Sequence, residues 1–285
     1  MRIKSRIAIL LFVASVIAVY NFVSIRTYED VINTNLCTEV KLPIVMYHAF
    51  LKDTSRHGKF IISPEQFEED IKYIKDKGYT PIHIKELITY VNAEGNLPEK
   101  PILITIDDGY YNNYIYAFPI LKQYGVKAVI SPIMKFSELY SQHDENNAYY
   151  SHITFSQARE MAATGLVEFQ NHSYDMHKES GERHGVRKTD SESVEEYRKT
   201  VYADLYRAHN MIKENIGCTP AAFTFPFGSY NPYIDQVIDQ MGYSVTLSCE
   251  SGINSISKGC SLKNLKRFNR PHGISTTEFF AKILE

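Results

Sequence analysis

The chain has no tryptophan among its 285 residues, only four cysteines, and almost no charge imbalance, with 31 Lys and Arg against 33 Asp and Glu. A chain with a pI near 6.6 lacks the basic footprint used to neutralise phosphates, which excludes nucleic acid as a partner. The cysteines, Cys37, Cys218, Cys249 and Cys260, show no Cys-x-x-Cys spacing, so neither a zinc nor a redox motif of that kind is present. Two disulfides and free buried thiols both remain open. With no Trp, the amphipathic-ring positions fall to Tyr, of which there are 21. No internal repeat or low-complexity tract is present.

One long hydrophobic run does occur, at the N-terminus. Arg2, Lys4 and Arg6 precede an apolar stretch from Ile7 to Ile25 broken only by Ser15, Asn21 and Ser24. Its length is close to the ~20 residues that span a bilayer, and the basic flank puts the remainder of the chain outside the cell. A cleavage site at Val16-Ile17-Ala18 would fall inside the run, so an uncleaved anchor is preferred to a removed signal. The expectation is a membrane anchor or signal segment over residues 1–26, a polar stalk over 27–41 and one domain over 42–285. That domain sits on the outer face of the cell membrane. With 44% hydrophobic and 22% charged residues, the chain can bury a core of its own.

Beyond the stalk, strand and helix patterns alternate. The apolar Pro43-Ile44-Val45-Met46-Tyr47-His48 reads as a strand; Ser63 then caps a helix with Pro64 at its first position and Phe67, Ile71 and Ile74 on one face. Strand Pro81 to Ile84, helix Lys85 to Asn92 and strand Ile102 to Ile106 follow, the last stopping at Asp107-Asp108-Gly109. A helix over Asn113 to Tyr124, a strand over Ala128 to Ile133, and a helix opened by Thr154 with Gln157 continue the series. The rest reads as strand Leu166 to Gln170, helix Ser193 to Asn215, strand Ala222 to Phe225, helix Pro232 to Met241, strand Tyr243 to Leu247 and a last helix capped by Ser275. His177 to Asp190, rich in charge, is read as an exposed loop. Near-continuous apolar strands between helices imply a parallel sheet covered on its faces, closing at this length into a barrel of about seven or eight strands.

Three strand ends carry chemistry. Asp107 and Asp108 end an apolar strand before Gly109; neighbours on an extended segment point apart, so one carboxylate can bind a metal while the other stays free as a base. Taken alone, Asp-Asp-Gly is also an ordinary turn. His172 and His177 follow the strand ending at Gln170 and can converge on one cation with a carboxylate. Phe225-Pro226-Phe227-Gly228-Ser229-Tyr230 ends another strand in a turn that exposes backbone N–H groups, a possible source of an oxyanion donor.

Together these segments resemble the polysaccharide deacetylase family, carbohydrate esterase family 4, from about Pro43 to the C-terminus. The family's first motif, Thr-Phe-Asp-Asp-Gly, stands here as Thr105-Ile106-Asp107-Asp108-Gly109. The resemblance implies a distorted (β/α)7-8 barrel of the polysaccharide deacetylase type. It implies Asp107 as catalytic base, Asp108, His172 and His177 as ligands of a divalent metal such as Zn²⁺, and the Phe227 backbone N–H as oxyanion donor. Arg270-Pro271-His272-Gly273 matches the place of the family's late general acid, giving His272 that role. His48, Tyr230 and Arg270 are the expected substrate contacts.

The histidines, five apart with no Pro following, and Met46-Tyr47-His48 look like the branch that deacetylates poly-N-acetylglucosamine exopolysaccharides. The chain departs from the family pattern where Thr224 replaces the Arg that orients the base, a role open to Arg267 or Arg270, and where the Trp motif is missing. His57, His83, His143, His152, His184 and His209 have no motif around them and read as ordinary surface or helix residues. The expected substrate is an acetylated polysaccharide: exopolysaccharide first, then peptidoglycan or chitin-like oligomers. A glycoside hydrolase using Asp107 with a second acid, or a polysaccharide-binding module with an impaired site, are the rivals.

Overall fold

Residues that alternate least in polarity become the centre of the molecule. In the computed structural model, which describes residues 16–24, 26, 39–143, 145–178 and 183–284, the chain falls into two compact units, Met1–Val40 and Lys41–Glu285. In the first, residues 16–24 and 26 are helical with exposed side chains. The remainder of the expected anchor and residues 27–38 of the stalk, with Cys37, lie outside the described residues. Among the described residues no helix is long and apolar enough to cross a membrane.

The second unit is built on parallel strands. Strand β1 (Ile44–Tyr47) lies between β2 (Pro101–Asp108) and the short β8 (Phe268–Asn269); β3 (Ala128–Pro132) and β4 (Val167–Phe169) extend the sheet beyond β2. A second arc joins β5 (Ala222–Thr224), β6 (Val245–Leu247) and β7 (Leu262–Leu265), again in parallel. One bridge, Asn171 to Phe223, ties β4 to β5, and β7 runs directly into β8. The result is a distorted α/β barrel with a single-bridge seam.

Every residue of β2 is buried, as a central parallel strand covered on both faces requires. Outside it packs α1 (Pro64–Asp76), opened by Ser63, whose hydroxyl accepts from the Gln66 N–H, and burying Phe67, Ile71 and Ile74. These meet Ile102, Ile104, Ile106 and Ile130 in one cluster, each such side chain contributing ~1.5–3 kcal/mol on burial. The long α6 (Val194–Asn215) presents Tyr197, Val201 and Leu205 to a second cluster around Phe223 and Phe225.

Several elements differ from the sequence pattern. The expected strand at Pro81–Ile84 is only the pair Thr80–Pro81, and Ile84 already opens α2 (Ile84–Val91). The helix expected from Asn113 is a π-turn, Asn113–Ala117, before α3 (Phe118–Tyr124); Pro119 has no N–H to donate and sits where a helix tolerates it, near the start. A helix absent from the pattern, α4 (Met134–Gln142), has no side-chain cap, which is why nothing local announces it. The loop after His177 is not wholly exposed, since Gly185 and Val186 are buried.

Candidate active site

Parallel strands place all their C-terminal ends on one rim, and the polar residues of the sequence gather there. At the end of β2, Asp108 (φ 70°) and Gly109 (φ 71°) both take the left-handed conformation, turning the chain so that the two carboxylates diverge. Gly109 is irreplaceable on space as well: a Cβ there would lie 2.6 Å from the Pro132 Cβ on the neighbouring strand. Ser173 and Phe227 also have positive φ, so strained non-glycine residues concentrate on this rim, as at sites whose geometry the surroundings impose.

Asp108 Oδ1 lies 3.4 Å from His172 Nε2 and 3.3 Å from His177 Nε2. The ligand atoms of the three residues all lie within 4.8 Å of one another. His172 Nδ1 is 2.8 Å from the Thr224 carbonyl, which can only accept, so Nδ1 donates and Nε2 is aimed at Asp108. Asp108 Oδ1 is buried and makes no well-formed hydrogen bond, an expensive state for a carboxylate oxygen unless a cation satisfies it. A four-coordinate N/O site with bonds of ~2.0–2.1 Å sets its ligand atoms ~3.3 Å apart, the separation of Asp108 Oδ1 from each imidazole. The donor set fits a divalent cation.

The electrostatics follow from the same groups. Burial raises the Asp108 carboxyl, but the imidazoles of His172, His48 and His177 outweigh it and hold the group well below the usual carboxylate range. Burial and the nearby His172 lower His177 to about 4, leaving it neutral and fit to ligate. For His172 burial is outweighed by the Asp108 and Asp107 carboxylates, which raise it.

Asp107, 2% exposed, is not one of the three converging groups. Arg267 grips it from two sides, Nη1 to Oδ1 and Nη2 to Oδ2, each at 2.8 Å. Arg267 is itself fixed by Nε donating to the Ser248 carbonyl at 2.7 Å and by Nη1 to the Thr105 hydroxyl at 3.2 Å. Burial raises Asp107, and the charge of Arg267 with that of His172 more than reverses it, so the carboxylate stays ionised. Of the two arginines open to the role left by Thr224, Arg267 is the one that holds Asp107; Thr224 instead exchanges a 2.8 Å hydrogen bond with Ser131.

Asp107, Asp108, His172 and His177 line one cleft of about 760 Å³, together with His48 and Phe227. His48 is half-buried with a buried, unpartnered Nδ1, and burial lowers its pKa. The Phe227 ring lies 4.1 Å from that of His177.

Three expected site residues are elsewhere. Arg270 cannot touch substrate: it is 1% exposed and its guanidinium is committed to Asp70. His272 is exposed beyond the cleft lining, its ring 4.7 Å from that of His57, because the chain turns away after Arg270. Tyr230 donates to Asp235 at 2.8 Å and does not line the cleft. Conversely, His184 does line it, its ring tilted by 45° and 4.8 Å from that of Phe227. No local motif marks His184; it arrives there because Val186 donates to the Ser229 hydroxyl at 3.0 Å, pinning this loop to the turn that carries Phe227. His152 is buried against Tyr110 and Phe136 rather than at the surface.

A family model described as polysaccharide deacetylase matches residues 94–246, more than half of the chain. YxkH of Bacillus subtilis (strain 168), whose name places it in the same family, is 28% identical over 263 residues, covering 92% of this chain and 83% of that protein. The poly-beta-1,6-N-acetyl-D-glucosamine N-deacetylase of Escherichia coli (strain K12) is 25% identical over 82% of this chain, which spans only 37% of that relative's length. Among solved structures, the Streptococcus pyogenes deacetylase PplD in complex with acetate superposes with a TM-score of 0.70 at 23% identity, covering 87% of this chain and 100% of that one. That likeness shows the shared barrel fold.

Proposed function

The chain belongs to the polysaccharide deacetylase family, and from that membership we propose that it removes N-acetyl groups from an N-acetylglucosamine-containing polysaccharide. Poly-β-1,6-N-acetylglucosamine exopolysaccharide is the first-choice substrate, supported by the name of the Escherichia coli relative, with peptidoglycan and chitin-like oligomers next. The carrying observation is a single cleft that holds an ionised, guanidinium-locked Asp107 beside the converging Asp108, His172 and His177.

Asp108, His172 and His177 are the residues that hold the cation, with Zn²⁺ proposed. When bound, such an ion polarises an amide carbonyl and brings the pKa of a water toward ~7. Asp107 takes the proton from the attacking water on a carboxylate oxygen, while Arg267 keeps both oxygens from rotating away. The Phe227 backbone N–H is the proposed oxyanion donor, held in its left-handed conformation at φ 57°. Two imidazoles outside the metal set line the cleft, His48 and His184, and one of them supplies the proton to the departing nitrogen. Acetate and a glucosamine unit leave.

The rivals lose ground on the same residues. A glycoside hydrolase needs a second free carboxylic acid, and the acids lining the cleft, among the described residues, are Asp107 and Asp108. An impaired binding module would follow from a missing base-orienting Arg, and Arg267 fills that place. We further propose that residues 1–26 anchor the chain with residues 42–285 outside the cell. Acetate release from each polymer by the purified chain, with and without chelator, tests the activity. Release that persists after exhaustive metal removal sinks the metal-dependent reading.

A further inference from the structure

The histidines of this site stand five apart without a following Pro, and something must hold that longer loop in place. Resting on the metal-dependent reading above, we propose that Asp204, far along the chain on α6, is the positioning residue that shapes the loop and so sets the separation of His172 and His177. Its two oxygens accept separate backbone N–H groups in the middle of the loop, Tyr174 at 2.8 Å to Oδ1 and Asp175 at 2.9 Å to Oδ2. The neighbouring Leu205 carbonyl accepts from Asn171 Nδ2 at 2.9 Å, so adjacent residues of one helix grip both the start and the centre of the loop. Asn171 in turn accepts the Ser173 N–H at 2.8 Å, and the Ser173 hydroxyl accepts the Met176 N–H at 3.1 Å.

The other side of the loop is held as well. The Ser173 and Tyr174 carbonyls accept the N–H groups of Met134 and Lys135, at 3.2 and 3.1 Å, from the first turn of α4. Ser173 sits at φ 76°, a conformation that a non-glycine residue keeps only where its surroundings hold it. A ligand loop whose amides are saturated in advance has little freedom to lose when the cation arrives. Asp204 touches neither metal ligand directly; it acts through the peptide groups between them. Supporting residues that orient ligands in this way carry roughly 10–100-fold of metal affinity.

The test is Zn²⁺ affinity by chelator competition on the full chain, with melting temperatures in chelator to report the fold. Asp204→Asn keeps the shape but can present only one acceptor, facing an N–H₂ toward the second amide. Its Zn²⁺ affinity is expected to fall roughly 10–100-fold. Asp175→Asn, on the same loop but with its carboxylate turned to Lys135 and Lys178 at 3.0 and 2.8 Å, is expected to stay within about twofold. Equal affinities for Asp204→Asn and the unmodified chain overturn the proposal, as does an equal loss in both variants. Amide hydrogen exchange on the unmodified chain is a second measurement that needs no variant: protection of the Tyr174 and Asp175 amides in chelator supports the clamp, and rapid exchange there overturns it. An unmodified chain that takes up no Zn²⁺ sinks the functional reading first, before any variant is compared.

Discussion

Two buried Asp–Arg pairs lie close together in this barrel, and they do different work. Asp107, backed by Arg267, lines the cleft; Asp70 and Arg270 fill a closed corner between α1 and α8 (Thr276–Ala281). Both are two-point contacts between residues no more than 2% exposed. At Asp70 the remaining valences are used up by the Tyr47 hydroxyl at 3.1 Å and the Thr276 hydroxyl at 2.7 Å, and the Arg270 Nη1 donates to two carbonyls, of Pro271 and Ile274. Burial there outweighs the guanidinium and raises the Asp70 carboxyl, whereas Arg267 and the imidazoles lower that of Asp107. The same ion pair thus closes a corner where all its lone pairs are spoken for, and at Asp107 leaves one edge open beside the candidate cation site.

The contrast breaks most sharply at the base. Asp107→Asn should cut acetate release by roughly 10²–10⁴-fold with Zn²⁺ uptake retained, measured by turnover and chelator competition on one preparation. Unchanged turnover removes Asp107 as the base. Next in size are the arginines: Arg267→Met and Arg270→Met each leave a buried carboxylate unpaired and should cost about 3–5 kcal/mol in urea unfolding. Adding Asp70→Leu to the second should recover most of that loss together with activity. Adding Asp107→Leu to the first should recover stability alone. If both double variants are equally active, the two pairs do not differ in role.

A smaller effect is in pH. His177 and His152 are lowered from 6.5 to about 4, both chiefly by burial. Between those values the unfolded chain binds protons that the native one does not, so stability rises with pH across that window. The urea midpoint should therefore fall on going from pH 7 to pH 5, and a flat profile contradicts the two lowered imidazoles. Smallest of all, His272→Ala should change turnover by less than about twofold, the scale of exposed substitutions away from special features. A tenfold loss there would return His272 to the cleft.

These pairs also show how far a sequence can be read. Asp107, Asp108, His172 and His177 were legible because each ends or follows a strand whose apolar run is visible locally, and parallel strands share a rim. Arg267 and Arg270 were not separable. They are three positions apart, an odd offset that sends extended-chain side chains to opposite faces, and which one faces inward depends on the register of β8 against β1, where Phe268 meets Val45. Nothing near either arginine encodes that register. His272 was misplaced and His184 missed for the same reason: loops are aimed by their distant partners, here Gln66 and His57 for one and Ser229 for the other. The barrel was legible as alternation, while its short elements, such as Thr80–Pro81 and α4, depend on neighbours rather than on period.

The Asp107–Arg267 contact joins residues 160 positions apart. A ribosome adding ~5–20 residues per second therefore releases the carboxylate roughly 10–30 s before the guanidinium that tames it. His172 and His177 emerge partway through that interval, so for the rest of it the nascent polypeptide carries Asp108 and both imidazoles while Asp107 still lacks its guanidinium, and the last strand has yet to close the ring. Under the activity proposed above, a product terminated before Arg267 would lack the group that locks Asp107.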